Sequence, residues 1–345
     1  MVTRRPQPNL LYDWAMAVVA LWLSGGILID AWFHFHSTVE TFFEPAHGLL
    51  YAGLLAAYAF TAVQLAVSVR RGFPLRTALP PGYESTLWGL GVTLAGGILD
   101  MIKHTLFGFE EGFNALVSPT HLLIGAGMFL IVTGPIRSAL ERTPPPRSLA
   151  AQLPAVLALA SMMELIHWGT QFVFLTGAET VNAPLPPANS AHDTLTLIAL
   201  QYYKQGIGLL AVMVQSLLMM GFAAFVTRRI ALAWGGLTVL FVVGNAFVAA
   251  AHANEAAQFW AVVVASAIAG LCADAFRLGP AAASALRWNA FSFTVPVVYW
   301  TTALALLAAT AGGLWWSPDV ISGSVFFAGL SGLFINAIAT PARRA

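Results

Sequence analysis

Ten apolar runs, each long enough to cross a bilayer, leave this chain little choice of architecture. They lie near 12–34, 47–69, 85–106, 119–138, 150–175, 194–226, 230–251, 256–276, 284–311 and 319–339. A spanning helix needs about 20 predominantly apolar residues. Hydrocarbon offers backbone groups no water, so only helices and closed barrels cross it. With 58% hydrophobic and 9% charged residues, the chain is too apolar for an ordinary soluble domain. The expected fold class is all-α: a polytopic integral membrane helical bundle of about ten transmembrane helices. The expected arrangement is one transmembrane domain over 1–345. Within it, 12–69 and 85–138 are repeated helix hairpins and 150–339 supplies additional helices.

Charge placement sets the expected orientation. Arg4 and Arg5 precede the first run, while Arg70, Arg71 and Arg76 follow the second. Arg137, Arg142 and Arg147 follow the fourth, and Arg228 and Arg229 follow the sixth. Arg277 and Arg287 flank the link between the eighth and ninth, and Arg343 and Arg344 end the chain. An even number of crossings places all fourteen arginines on one side, which the positive-inside rule makes the cytoplasm. The expected location is the cell inner membrane with both termini cytoplasmic. The histidines fall at the opposite, extracytoplasmic ends of the runs. The net charge of +1 and the absence of any nucleic-acid motif give no reason to expect a nucleic-acid partner. The single cysteine, Cys272, implies neither a disulfide framework nor a thiolate site.

Within this apolar chain one polar pattern occurs twice. Gly25-Gly26-Ile27-Leu28 leads to Asp30 and His34, and Pro45-Ala46-His47 follows. Gly96-Gly97-Ile98-Leu99 leads to Asp100 and His104, and Pro119-Thr120-His121 follows. An Asp and a His four residues apart share one helix face. Proline suits the first position of a helix, which puts His47 and His121 in the first turns of the returning helices. A tight antiparallel hairpin then brings two imidazoles and one carboxylate together. The expected metal ligands are Asp30, His34 and His47, and in the second hairpin Asp100, His104 and His121. Imidazole and carboxylate suit copper, zinc or iron, and three ligands with an open position suit a reactive site. Helix-end histidines that bond only a carbonyl or water remain the alternative.

Further ionisable residues are candidates for orienting those ligands: Glu44, Glu110, Glu111, Glu164 and His167. Glu44 is also a candidate helix cap, and Ser118 a candidate cap for the helix carrying His121. Glu164 and His167 share a face of the fifth run and can equally bond each other. Lys103 lies beside the second set and can either pair with Asp100 or reach outward to the interface.

These motifs resemble the C subunit of the copper membrane monooxygenases, the family of particulate methane and ammonia monooxygenases. Asp30, His34 and His47, with the Glu44-Pro45-Ala46-His47 turn, match the spacing of that family's Asp-x-x-x-His and later His. Trp32-Phe33 matches the aromatic residues before the histidine. Asp100 stands where the family has Asn, followed by His104, the Glu110-Glu111 pair and Pro119-Thr120-His121. The loop to His121 is longer than the family's. The resemblance covers roughly residues 15–135.

The resemblance implies copper bound from the periplasmic side, with Asp30, His34 and His47 catalytic. It implies dioxygen and quinol-derived electrons used to hydroxylate a small apolar substrate. It also implies other membrane subunits or a homo-oligomer within the lipid bilayer. Two other classes stay open on the residues alone: a membrane transporter or metal-handling protein, and a zinc-dependent intramembrane hydrolase.

Overall fold

The computed structural model describes residues 5–36, 44–110, 112–174, 191–253, 255–279, 284–310 and 314–339. All regular structure in them is helical: α1 (Leu10–His36), α2 (Pro45–Arg70), α3 (Glu84–Phe107), α4 (Phe113–Val117), α5 (Pro119–Val132), α6 (Gly134–Glu141), α7 (Leu149–Gly169), α8 (Ala191–Thr227), α9 (Gly236–His252), α10 (Ala256–Ala275), α11 (Ala285–Thr310) and α12 (Pro318–Ala339), with two single 3-10 turns. Nine of the spans among the described residues are long and apolar enough to cross a membrane. The helical membrane bundle expected from the sequence is the fold observed.

The run expected at 230–251 is shorter in the structure. Gly235 adopts a left-handed conformation (φ 92°) at the head of α9, so this helix starts only at Gly236. Its 17 residues reach about 25 Å at the usual rise per residue. The run at 119–138 is divided at Thr133 into α5 and α6, with Pro135 in the first turn of α6.

The chain forms two compact units, Met1–Gly169 and Thr170–Ala345. Both repeated hairpins and α7 belong to the first. Its interior sets polar side chains among an apolar core. Asp13, Ser24, Thr61, Thr93 and Glu164 are buried, while Leu55, Val63, Leu94 and Leu106 stand exposed. Buried polar groups beside exposed apolar ones suit a hydrocarbon surround, where apolar side chains need no cover and polar ones do.

α1 is the hub of the first unit, packing against α2, α5, α6 and α7. Its buried stripe runs through Met16, Ala20, Leu23 and Ile27, a helical spacing. Trp22 donates its indole N–H to the Leu49 carbonyl at 2.9 Å. A Cβ at Gly53 would lie 2.9 Å from the Trp22 ring, so α2 approaches here because Gly53 has no side chain. Tyr58 then donates to the Leu90 carbonyl at 2.6 Å, joining α2 to α3.

α3 and α5 make the tightest pair. A Cβ at Gly89 would stand 2.6 Å from the Gly127 carbonyl oxygen, and one at Gly127 would stand 2.6 Å from the Thr93 nitrogen. Small residues allow this approach where lipid supplies no hydrophobic drive between helices. Replacing Gly127 with alanine is expected to destabilise the unit by about 1–3 kcal/mol. Gly91, with nothing near its missing Cβ, should accept alanine without loss. Melting midpoints of the two variants in mild detergent check this; equal midpoints would contradict the packing argument.

The arginine-bearing end of this unit is closed by a buried carboxylate. Asp13 accepts from Tyr83 at 2.7 Å and Ser138 at 3.2 Å, and pairs with Arg142. Burial, and then the neighbouring Asp13 charge, push the Tyr83 hydroxyl well above its ordinary range, so it remains a donor. A cavity of about 250 Å³, lined by Arg5, Gly82, Glu84, Arg137 and Glu141 among others, is also at this end.

The second unit holds α8 to α12. Asp274 on α10 accepts from the first-turn backbone N–H groups of Leu237 and Thr238, both at 3.1 Å, and so neutralises the start of α9. Pro296 denies the Ser292 carbonyl its helical donor in α11, and Gly332 of α12 lies directly against that oxygen. Trp300 bonds Ser216 at 2.9 Å.

Candidate metal centre

Both hairpins turn at the end opposite the arginines, and each brings an Asp and two His together. Among the described residues, two groups have ligand atoms all within 4.8 Å of one another: Asp30, His34 and His47, and Asp100, His104 and His121. These are the six residues singled out from the sequence as ligands. The helices place them by the same device in each hairpin. Gly26, four residues before Asp30, faces Leu50, three residues after His47, at 3.5 Å from its would-be Cβ. Gly96, four before Asp100, faces Ile124, three after His121, at 2.8 Å. The glycine lets the returning helix come close one turn below the ligands. α2 and α5 begin at Pro45 and Pro119.

In the first group His34 Nε2 lies 3.4 Å from His47 Nε2 and 3.7 Å from Asp30 Oδ2. His47 Nε2 lies 3.4 Å from Asp30 Oδ1. Ligands about 2.0–2.1 Å from a tetrahedral ion stand about 3.3 Å apart, so this triangle has the size an ion requires. Glu44 Oε1 is 3.5 Å from His47 Nδ1 and 3.8 Å from His34 Nε2. Both Glu44 oxygens and Asp30 Oδ1 are buried with no hydrogen-bond donor among the described residues. Buried carboxylate oxygens aimed at imidazole nitrogens, without donors of their own, fit a cation. Glu44 occupies the N-cap position of α2 but makes no capping bond.

The second group is better supplied with protein hydrogen bonds. His104 Nε2 is 3.2 Å from Asp100 Oδ2, and His121 Nε2 is 3.4 Å from Asp100 Oδ1. His121 Nδ1 sits 2.6 Å from the Ala115 carbonyl, and His104 Nδ1 3.3 Å from that of Gly108. A carbonyl only accepts, so Nδ1 carries the hydrogen in both rings and Nε2 faces the carboxylate. That is the arrangement of a ligating histidine whose outer nitrogen is held by a carbonyl. A second proton on the ring satisfies the same contact, and a metal ion takes that proton's place. The longer loop of this hairpin folds as α4, which supplies the Ala115 carbonyl, and Gly108 and Gly112 turn it at positive φ.

Glu110 pairs with Lys103, and its Oε2 is 3.3 Å from His104 Nδ1. Lys103 donates to Ser118 Oγ at 2.7 Å rather than to Asp100. Ser118 and Thr120 hydroxyls are 2.9 Å apart, and Thr120 donates to Asp100 Oδ1 at 2.6 Å. The Ser118 side chain therefore makes no cap for α5. Sequence reasoning passed over Thr120, although its place between Pro119 and His121, opposite Ala46 in the first repeat, marks it. Tyr51, one turn beyond His47 and stacked on it at 5.9 Å, was also passed over.

Glu164 and His167 are fully buried on α7 and belong to neither group. Glu111 lies outside the described residues. His36 is exposed, bonded to the Trp32 carbonyl at 2.8 Å. The residues flanking the ligands, Ile29, Trp32, Leu49, Leu99, Met101 and Leu122, are exposed and apolar. Compared with protein-family models, curated proteins and solved structures, the chain matches none.

Proposed function

We propose that this membrane protein is a copper-dependent monooxygenase, or a subunit of one, that hydroxylates a small apolar substrate. The observation that carries this reading is the pair of Asp–His–His groups of ion-binding size at one end of a membrane bundle. Two imidazoles and one carboxylate leave positions for other molecules. Copper held there supplies the one-electron chemistry that dioxygen requires. The residues proposed to hold it are Asp30, His34 and His47, with Asp100, His104 and His121 holding a second ion. Zinc and iron suit the same donors.

The rest of the reading concerns what these residues do. Glu44 orients His47 and adds negative charge beside the first centre. The Ala115 and Gly108 carbonyls hold His121 and His104 with Nε2 inward. The apolar residues around the ligands are open to the bilayer, so a substrate dissolved in lipid reaches the centre from the side. Hydroxylation inserts one oxygen atom of dioxygen into a C–H bond and reduces the other to water. It consumes two electrons and two protons, for which a membrane quinol is the proposed source. The arginine-rich end is placed in the cytoplasm by the positive-inside rule, which puts the centres on the outer side of the inner membrane. A transport pathway needs ligands deeper in the bundle, and both groups among the described residues lie at one end.

The test is copper loading followed by assay with dioxygen, a reduced quinol and short-chain hydrocarbons. The copper-loaded protein, with any partner subunits that co-purify, is expected to form alcohols, and His34→Ala/His47→Ala to fall to background. Undiminished turnover by protein stripped of metal would sink the reading.

A further inference from the structure

The two hairpins carry their ligands at matching positions of their helices, and three residues that differ around the second form a chain that ends on Asp100. Phe33, Glu44 and Ala46 of the first repeat correspond by spacing to Lys103, Ser118 and Thr120 of the second. In the structure these three form one chain. Lys103 Nζ donates to Ser118 Oγ at 2.7 Å, Ser118 and Thr120 hydroxyls are 2.9 Å apart, and Thr120 donates to Asp100 Oδ1 at 2.6 Å. Lys103 also pairs with Glu110, whose other oxygen is 3.3 Å from His104 Nδ1. One ammonium thus connects to two of the three ligand residues of the second centre.

Among the described residues, the first centre has no such chain of hydroxyls and no ammonium. Asp30 Oδ1 and both oxygens of Glu44 are buried without a hydrogen-bond donor among the described residues. Residues 37–43 include no lysine or arginine. Among the described residues, the first centre therefore sets two carboxylates and no cation around its imidazoles, whereas the second sets two carboxylates and an ammonium. A divalent ion is repelled by the nearby ammonium. It also competes with the Thr120 hydroxyl for the Asp100 oxygen.

Resting on the reading of both groups as metal centres, we infer that the two are unequal by construction. The first binds a divalent ion tightly, and Lys103, acting through Ser118, Thr120 and Glu110, is a positioning residue that holds the second at lower affinity. Metal then loads in order, the first centre before the second.

Single-centre chains test this without repulsion between two bound ions. His104→Ala/His121→Ala retains the first centre, and His34→Ala/His47→Ala retains the second. Zinc affinity of each is measured in mild detergent by competition with a chromophoric chelator. The first centre is expected to bind at least about tenfold more tightly. Lys103→Met in the chain retaining the second centre should tighten zinc by about threefold to tenfold. Lys103→Arg, which keeps the charge, should not, and Lys103→Met should leave the first centre unchanged. Thr120→Ala, which keeps the lysine and places the first repeat's residue in the second, should also tighten zinc. It decides the question if Lys103→Met fails to fold. Equal affinities, a tighter second centre, or no gain from either substitution would overturn the inference while leaving the metal reading intact. Zinc binding at neither centre would overturn both.

Discussion

Replacing His34 and His47 together with alanine is expected to remove one of two bound metal ions per chain while the protein stays folded. Both rings are partly exposed at a helix end, and neither fills the interior of the bundle. Without them, Asp30 retains no imidazole partner in its group, and one carboxylate does not hold a transition metal against water. Glu44→Gln should have a smaller effect, about 10–100-fold in affinity at the first centre, because it alters a neighbour of the ligands. Elemental analysis beside circular dichroism separates loss of metal from loss of fold. Retention of both ions by the double variant would show that these histidines bind nothing.

The largest expected effect on stability lies at the other end of the first unit. Asp13→Ala leaves Arg142 facing a buried space and deprives the Tyr83 and Ser138 hydroxyls of their acceptor. Breaking a buried ion pair by removing one partner costs about 3–5 kcal/mol. The Asp13 contacts bind α1 to α6 and to the link before α3, so the cost falls on the frame that aligns both hairpins. A large fall in the melting midpoint in detergent is expected, with metal retained by the fraction still folded. Asp13→Asn keeps the acceptor and should recover part of the loss. If Asp13→Ala melts like the parent chain, the network contributes nothing to stability.

The bundle could be read from the sequence because in a bilayer the length of an apolar run nearly determines its structure. The runs at 12–34, 85–106 and 319–339 became α1, α3 and α12 with ends shifted by a few residues. The run at 230–251 lost its first turns to Gly235, whose left-handed backbone a hydropathy window does not register. The six candidate ligands were legible because Asp-x-x-x-His and Pro-x-His each constrain a helix end. The hairpin between them is short enough to bring those ends together.

What was not legible depends on contacts that spacing does not encode. Lys103 has several acceptors within its reach, and only the fold shows that it chooses Ser118 and Glu110 over Asp100. The Ala115 carbonyl that orients His121 belongs to α4, a helix of five residues that carries no pattern of its own. Tyr51 reads as an ordinary interfacial aromatic until its stacking on His47 is seen.

The most direct test of the central claim is anomalous diffraction at the copper edge from crystals of the copper-loaded chain. Two peaks per chain are predicted, one between Asp30, His34 and His47 and one between Asp100, His104 and His121, each about 2.0–2.1 Å from the imidazole nitrogens. A loaded, well-ordered crystal with no anomalous density at either group would contradict the account and return these residues to a hydrogen-bonded network at the helix ends.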